Sequence, residues 1–442
     1  MSAGQPATPP VTAEDEVVDL CRGLIRIDTT NPGDGSGPGE REAAEYVAGQ
    51  LDEVGLDHTM FDSAPRRTSI VTRLPGEDPS LPALLVHGHL DVVPAQAADW
   101  QVHPFAAELK DGCIWGRGAV DMKDMDAMML AVLRHYARSG RKPRRDVVFA
   151  WLADEEAGGN YGAKYFAKHH ADLLDGCDHA ISEVGGYSFE VSPDLRFYLI
   201  ETAQKGLAWM RLIVDGTAGH GSMTNDDNPV TALAEVVGRL GSYEWPVTLT
   251  PTVEKFLAEV CDAFGIPFDP ADPSPALERL GPLARFIGAT LQHTANPSRL
   301  DAGYKINVIP GRATAEVDGR FLPGHEDDFF ATIDELLGSK VKRELIHHDI
   351  ALETSFDGHL VETMIAALQA EDPAARAVPY CLSGGTDNKT FEPMGLRGFG
   401  FVPLRLPPEL DFAAMFHGVD ERVPADALTF GVRVLDRLLT TY

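Results

Sequence analysis

The chain has 442 residues, 44% hydrophobic and 24% charged, which describes a soluble globular protein too long for one ordinary core, so two domains are expected. Thirty-eight basic against 67 acidic residues leave a net charge of −29, a field that repels nucleic acid and anionic membranes and excludes both as partners. The five cysteines (Cys21, Cys113, Cys177, Cys261, Cys381) are scattered, with no disulfide framework and no Cys-x-x-Cys for a structural zinc, as suits a reducing, cytoplasmic compartment.

Met1 to Pro10 is small, polar and proline-rich and does not read as a secretion signal. No apolar run in the chain approaches membrane-spanning length. Thr12 is the expected N-cap of an amphipathic helix over Ala13–Arg26, and Glu40–Val54 gives a second helix stopped by Gly55. Thr68–Leu74 and Ala83–His87 read as strands, the second running into His89-Leu-Asp91. A glycine-rich turn, Gly112 to Asp121, precedes a helix from Met122 to Ser139 with Gly140 as its stop. Asp146–Ala153 is a buried strand ending in Asp154-Glu-Glu156, Gly162–His170 a short helix, and Asp178–Ser182 a strand ending at Glu183. Strands alternating with helices predict an α/β fold with a mixed central sheet covered on both faces.

From Glu201 the pattern changes. Strands at Gly206–Asp215, Tyr304–Val308, Arg312–Phe321 and Val341–Asp349, with helices at Asn228–Leu240 and Glu326–Leu337, follow the ferredoxin-like order. Trp245–His293 reads as a helical insertion within it. The expected division is therefore a catalytic domain over 12–200 and 354–442, interrupted by a second domain over 201–353. The last part holds a helix from His359, the turn Ser383–Asp387, the segment Leu396–Val402 and a final helix, Ala425–Leu439.

Chemistry-bearing groups gather just after the strands of the first domain: His89, Asp121, Glu155, Glu156 and Glu183, with His417 in a loop before the last helix. Singly each has a plain structural explanation; Asp121, for instance, could cap the helix after it. Ligands of α/β sheets gather at the carboxyl ends of the strands, and joint convergence there is unlike chance. Two imidazoles with several carboxylates suit zinc or cobalt rather than the all-oxygen sites of magnesium or calcium. Five ligands exceed one tetrahedral zinc, so two ions sharing a carboxylate are expected. Of the adjacent glutamates, one then serves as ligand and the other is left to carry a proton. His89 and Asp91, two apart on an extended strand, face one side, so the carboxylate is expected to orient the ring.

His89-Leu-Asp-Val-Val93, Gly116-Arg-Gly-Ala-Val-Asp-Met-Lys123, Asp154-Glu-Glu156, Gly219-His-Gly-Ser-Met223, Gly384-Gly-Thr-Asp387 and His417-Gly-Val-Asp-Glu421 occur in this order. In these motifs the chain resembles the M20 metallopeptidases, the group of carboxypeptidase G, aminoacylase-1, succinyl-diaminopimelate desuccinylase and carnosinase, over nearly its whole length. The resemblance implies a zinc-exopeptidase-type catalytic domain with an inserted ferredoxin-like lid and dimerisation domain. It implies two Zn2+ ions, with Co2+ or Mn2+ as substitutes, held by His89, Asp121, Glu156, Glu183 and His417, with Asp121 bridging and Asp91 behind His89. It makes Glu155 the general base for a metal-bound hydroxide attacking an amide carbonyl. His220 and Asn307 would come from the partner subunit of a homodimer, and Arg320, Gly385 and Thr386 would hold a substrate carboxylate.

Two departures bear on this. Asp124 stands where many members carry glycine, and the fifth acid is Glu183 rather than aspartate, which favours substrates with a free α-carboxylate. The expected substrate is a small N-acyl-amino acid or dipeptide. An N-carbamoyl or ureido amide, and an inactive binding protein on the same fold, are the alternatives. The apolar segment Leu404–Phe416 is compatible both with a wall of an acyl pocket and with an ordinary packed loop.

Overall fold

The computed structural model describes residues 11–281 and 283–442, so the reading of Met1 to Pro10 lies outside the described residues. The chain forms two compact units, one of residues up to Glu201 with Phe356–Val378 and Thr386–Tyr442, the other of Thr202–Ser355 with Pro379–Gly385.

In the first unit, four parallel strands lie side by side in the order Val147–Leu152, Ala83–His89, Cys177–Ser182 and Arg397–Gly400. Every residue of the first two is buried, so both faces of the sheet are covered, as their unbroken apolar runs require. On one face Leu85, Val148, Ala150 and Ala180 pack with Phe166 of the helix Ala163–His169. On the other, Trp151 donates its indole N–H to the Asp126 carbonyl of the helix Lys123–Ser139 at 3.2 Å. Antiparallel strands extend the sheet on either side, Arg67–Leu74 and Thr59–Ala64 at one edge and Leu195–Gln204 at the other. Helix limits follow local chemistry: Thr12 and Asp15 form a reciprocal capping box, and Gly140 closes the Lys123 helix in the left-handed conformation that glycine adopts without strain.

Several strands go beyond the sequence reading, among them Thr59–Ala64, Ser188–Ser192, Leu195–Gln204 and Ala375–Leu382. The last carries Pro379, which breaks the ladder of a central strand and disguises one that pairs with Leu195–Gln204. Its end, Pro379–Gly385, belongs to the second unit rather than the first, where Lys205 N–H donates to the Leu382 carbonyl at 2.9 Å.

The second unit is an antiparallel four-stranded sheet in the order Thr294–Ala302, Arg312–Phe321, Gly206–Asp215, Lys342–Asp349, the ferredoxin-like arrangement. One face packs Met210, Leu212 and Val317 against Val236, Leu240, Phe329 and Ile333 of the helices Pro229–Gly241 and Glu326–Leu337. The strand expected at Tyr304–Val308 is instead Thr294–Ala302. Residues 304–307 form a turn after Gly303, which has a left-handed φ of 75°, and Tyr304 and Ile306 project into solvent. The Trp245–His293 insertion holds the helices Pro251–Ala263, Ser274–Arg279 and Leu283–Gly288. No helix among the described residues is long and apolar enough to cross a membrane.

Within the central strand Ala83–His89, His87 is fully buried, its Nε2 3.0 Å from Asn388 Oδ1 and its Nδ1 3.2 Å from Ser182 Oγ. An Nε2–H donating to Asn388 and an Nδ1 accepting from Ser182 satisfy a neutral ring, and burial lowers its pKa to about 4. A depressed folded value gives stability that is present above the unfolded value and lost as pH falls through the folded one. Between pH 6.5 and 4 the wild type is expected to lose about 3 kcal/mol through this ring. Denaturant unfolding across that window checks it: a His87→Gln variant that loses stability as steeply as the wild type contradicts the assignment.

Candidate metal centre

The parallel strands deliver their chemistry at their carboxyl ends, where the backbone leaves the sheet and side chains can converge. His89 is the last residue of its strand, Glu155 and Glu156 form a tight turn after Leu152, and Glu183 follows Ser182. Asp121 arrives from the glycine-rich turn that precedes the Lys123 helix, and His417 from a loop in which it takes a left-handed φ of 58°.

Asp121 lies between the two imidazoles. Its Oδ1 is 3.1 Å from His89 Nε2, and its Oδ2 is 3.3 Å from His417 Nε2. On the His89 side, Glu183 Oε2 is 3.4 Å from the same Nε2. On the His417 side, Glu156 Oε2 is 3.1 Å from that ring's Nε2. Ligand-capable atoms of His89, Asp121 and Glu156 lie within 4.8 Å of one another, as do those of His89, Glu155 and Glu183. The motifs left open how the histidines and glutamates divide; in space His89 groups with Glu183 and His417 with Glu156.

The electrostatics are those of a site built for cations. Burial, and then the charges of their carboxylate neighbours, push Glu155 and Glu156 above the ordinary carboxylate range, and burial raises Glu183 to about 7 although His89 opposes it. Hydrogen bonds to Asp121 and Glu156 raise His417 to about 10. For His89 burial works against the charge, yet Glu183 and the hydrogen bonds to Asp121 and Asp91 carry it upward. Protons stand where divalent ions would bring the positive charge. Glu156 Oε1 is buried with no hydrogen-bond partner among the described residues, an orphan that a metal would satisfy. The donor set and this orphan atom together fit a metal site.

Asp91 stands beside His89, as the two-residue spacing leads one to expect, and offers the ring two acceptors. His89 Nδ1 is 2.9 Å from the Asp91 main-chain carbonyl and 3.5 Å from its carboxylate. The carboxylate also accepts the backbone N–H groups of Glu155 and Glu156, at 3.0 and 3.2 Å. The strand ends at His89 and the chain turns beyond it, which brings the Asp91 carbonyl nearer to the ring than its carboxylate.

A second support escaped the sequence reading. Glu421, fully buried, accepts from Arg117 at 2.7 Å and from the N–H groups of Gly118, Val120 and Asp121 at 3.1, 2.6 and 3.1 Å. Arg117 also donates to the Gly418 carbonyl at 3.0 Å, so one ion pair ties the Asp121 turn to the His417 loop. Both residues sit inside the quoted motifs, and that was their signal.

Four expected residues, His220, Asn307, Arg320 and Gly385, belong to the second unit. There His220 pairs with Val308, and Gly221 N–H donates to the Asn307 carbonyl at 2.9 Å, which brings His220 and Asn307 together. Arg320 is held by Asp318 through Nε and Nη2, at 2.8 and 3.3 Å. Thr386 lies in the first unit, its hydroxyl accepting from the Asn388 N–H at 3.2 Å. Asp124, at the departure from the common motif, is wholly buried at the start of its helix.

The family model described as peptidase family M20/M25/M40 matches residues 85–441. An N-fatty-acyl-amino acid synthase/hydrolase PM20D1 of Xenopus tropicalis is 27% identical, over 96% of this chain and 85% of that protein. Aminoacylase-1 of Mus musculus is 24% identical over 97% of this chain and 95% of its own length. The crystal structure of the M20 family metallo-carboxypeptidase Sso-CP2 from Sulfolobus solfataricus superposes with a TM-score of 0.72 at 18% identity, covering 97% of this chain and 99% of that one, and shows the shared fold.

Proposed function

Because the chain belongs to peptidase family M20/M25/M40, a family of metal-dependent hydrolases of acyl-amino acids and dipeptides, we propose that it cleaves the amide bond of small N-acyl-amino acids or dipeptides bearing a free carboxylate. The observation that carries the reading is Asp121 set between His89 and His417, with Glu183 and Glu156 on the outer sides. His89, Asp121 and Glu183 would hold one ion, and His417, Asp121 and Glu156 the other, with zinc as the ion that best suits this donor set. Two such ions would supply Lewis acidity, polarising an amide carbonyl and acidifying a water.

Glu155 carries the proton. Its carboxylate, in reach of His89 and Glu183, takes a proton from the attacking water and returns it to the departing amine nitrogen. Asp91 holds the backbone of that turn, and the Glu421–Arg117 pair holds Asp121. Arg320, with its guanidinium plane set by Asp318, and the Gly385–Thr386 turn are assigned to the substrate carboxylate. His220 is assigned to the oxyanion and Asn307 to substrate binding, both supplied from the partner of a homodimer as the family resemblance implies. Phe416, joined to His417, packs with Phe412 and Tyr187 at ring distances of 5.7 and 6.5 Å and offers an apolar wall to the acyl group. A cytoplasmic setting agrees with the five free cysteines.

A release assay tests this. Purified protein with zinc is given N-acetyl, longer N-acyl and dipeptide substrates, each with a free or amidated carboxyl terminus, and liberated amine is measured. Cleavage confined to the free carboxylates is expected, and the ranking of acyl groups separates aminoacylase from dipeptidase activity. Equal cleavage of the amidated forms removes the carboxylate anchor and favours a carbamoyl or general amidase.

A further inference from the structure

The turn that carries Glu155 and Glu156 is held from behind by one amide. Asn31 is 3% exposed, and all of its side-chain polar capacity is engaged inside the first unit. Its Nδ2 donates to Asp91 Oδ2 at 2.8 Å and to Asp154 Oδ1 at 3.1 Å. Its Oδ1 accepts from Arg67 Nη2 at 2.8 Å and from the Gly33 N–H at 3.1 Å. Two donors on the carbonyl side and two acceptors on the amino side leave a single orientation for the amide. Arg67 is itself set by a hydrogen bond to the buried Glu40.

The two carboxylates that Asn31 joins are those that shape the turn. Asp154 is the residue immediately before it, at a left-handed φ of 67°, and its Oδ2 takes the Tyr161 N–H at 3.0 Å. Asp91 takes the two amides of the turn itself. Two aspartates drawn to one point would repel each other; Arg67, 3.9 Å from Asp154 Oδ1, offsets part of that charge on one side, and a second cation between them would offset charge that the metal centre must retain. A neutral amide supplies one hydrogen to each and adds no charge. A carboxamide of this reach is what the position requires: alanine leaves both acids short of a donor in a buried site, and aspartate adds a third anion.

We propose that Asn31 is a positioning residue for hydrolysis: by clamping Asp91 to Asp154 it holds the Glu155–Glu156 turn in register with the metal centre. This rests on the assignment of Glu155 as proton carrier, and the test separates the two. Asn31→Ala and the isosteric Asn31→Asp are compared with wild type by steady-state kinetics, metal analysis and hydrogen–deuterium exchange. In both variants kcat is expected to fall at least about thirtyfold with KM within about threefold. Metal content stays at the wild-type value, and exchange across 154–157 quickens about tenfold or more while Val147–Leu152 is unchanged. A kcat within about threefold of wild type in a folded variant, loss of metal, or unaltered exchange at the turn overturns the clamp. If Asn31→Ala does not fold, Asn31→Asp decides, since it keeps the volume and the acceptor for Arg67. Exchange in the unmodified protein decides independently of any variant: unprotected Glu155 and Glu156 amides overturn the clamp. If wild type cleaves nothing in the panel, the proposed activity falls while the exchange measurements still judge the clamp.

Discussion

Glu155→Ala is expected to keep two metal ions per chain and to lose about three orders of magnitude or more in kcat, with KM little changed. The side chain stands beside His89 and Glu183, whereas the sites around Asp121 are completed by Glu156 and Glu183 with the two imidazoles, so its removal leaves the proposed ligand set whole. Burial, and then the Glu183 charge, raise its proton affinity above that of an ordinary glutamate, the property a group needs if it is to accept a proton from water and release it to an amine. Glu155→Gln preserves shape without basicity and should fail equally. Kinetics on the best substrate, with metal analysis of the same preparation, give the answer. A near-normal rate in either variant would sink the proton-carrier assignment, and loss of metal would reassign Glu155 as a ligand.

The second large effect concerns Asp121. Asp121→Ala is expected to abolish activity and to reduce the bound metal from two ions to one or none, because the same carboxylate faces both imidazoles. Removing metal from wild type with a chelator should likewise abolish activity and lower Tm by about 5 °C or more, since ions bound only by the folded state stabilise it. The loss should deepen with pH. Glu183, raised to about 7, and His417, raised to about 10, are groups whose folded values exceed their unfolded ones. Such groups stabilise the fold fully below the unfolded value, and that contribution is lost as pH rises through the folded one. Above the window in which His87 titrates, the metal-free protein should therefore weaken from about pH 6.5 to pH 10, while metal affinity rises over the same range as protons leave the ligands. Calorimetry with and without chelator across that range measures both trends. A metal-free form that stabilises with rising pH would contradict the site described.

Much of the frame was legible because local physics writes it in the residues. Apolar runs as dense as Ala83–Val86 and Val147–Leu152 specify strands buried on both faces, and the acids and imidazole placed just beyond them follow from where such strands end. The capping box at Thr12 and the glycine stop at Gly140 are equally local. Where local rules misled, a longer-range preference had won. Pro379 hid a strand that needs only part of its ladder, and the exposed Tyr304 and Ile306 imitated one in a turn that brings Asn307 to His220. Asp91 keeps His89 as its neighbour, and its carboxylate also takes the amides of a turn more than 60 residues away, contacts that alternation along a strand does not reveal.

By itself the sequence determined which atoms are available for chemistry: two imidazoles and four carboxylates at strand ends and tight turns, a donor set that only a cation reconciles. It also determined much of the helix and strand order in the frame, since periodicity and breakers act over a few residues. Only the tertiary structure decided which histidine shares a side of Asp121 with which glutamate, that Glu421 and Arg117 hold the Asp121 turn, and that Asn31 reaches both Asp91 and Asp154. Those pairings join groups as far apart in the chain as Asp121 and His417, and a hydrogen bond depends on separation in space. Sheet order and loop packing set that separation, and no spacing along the chain encodes it.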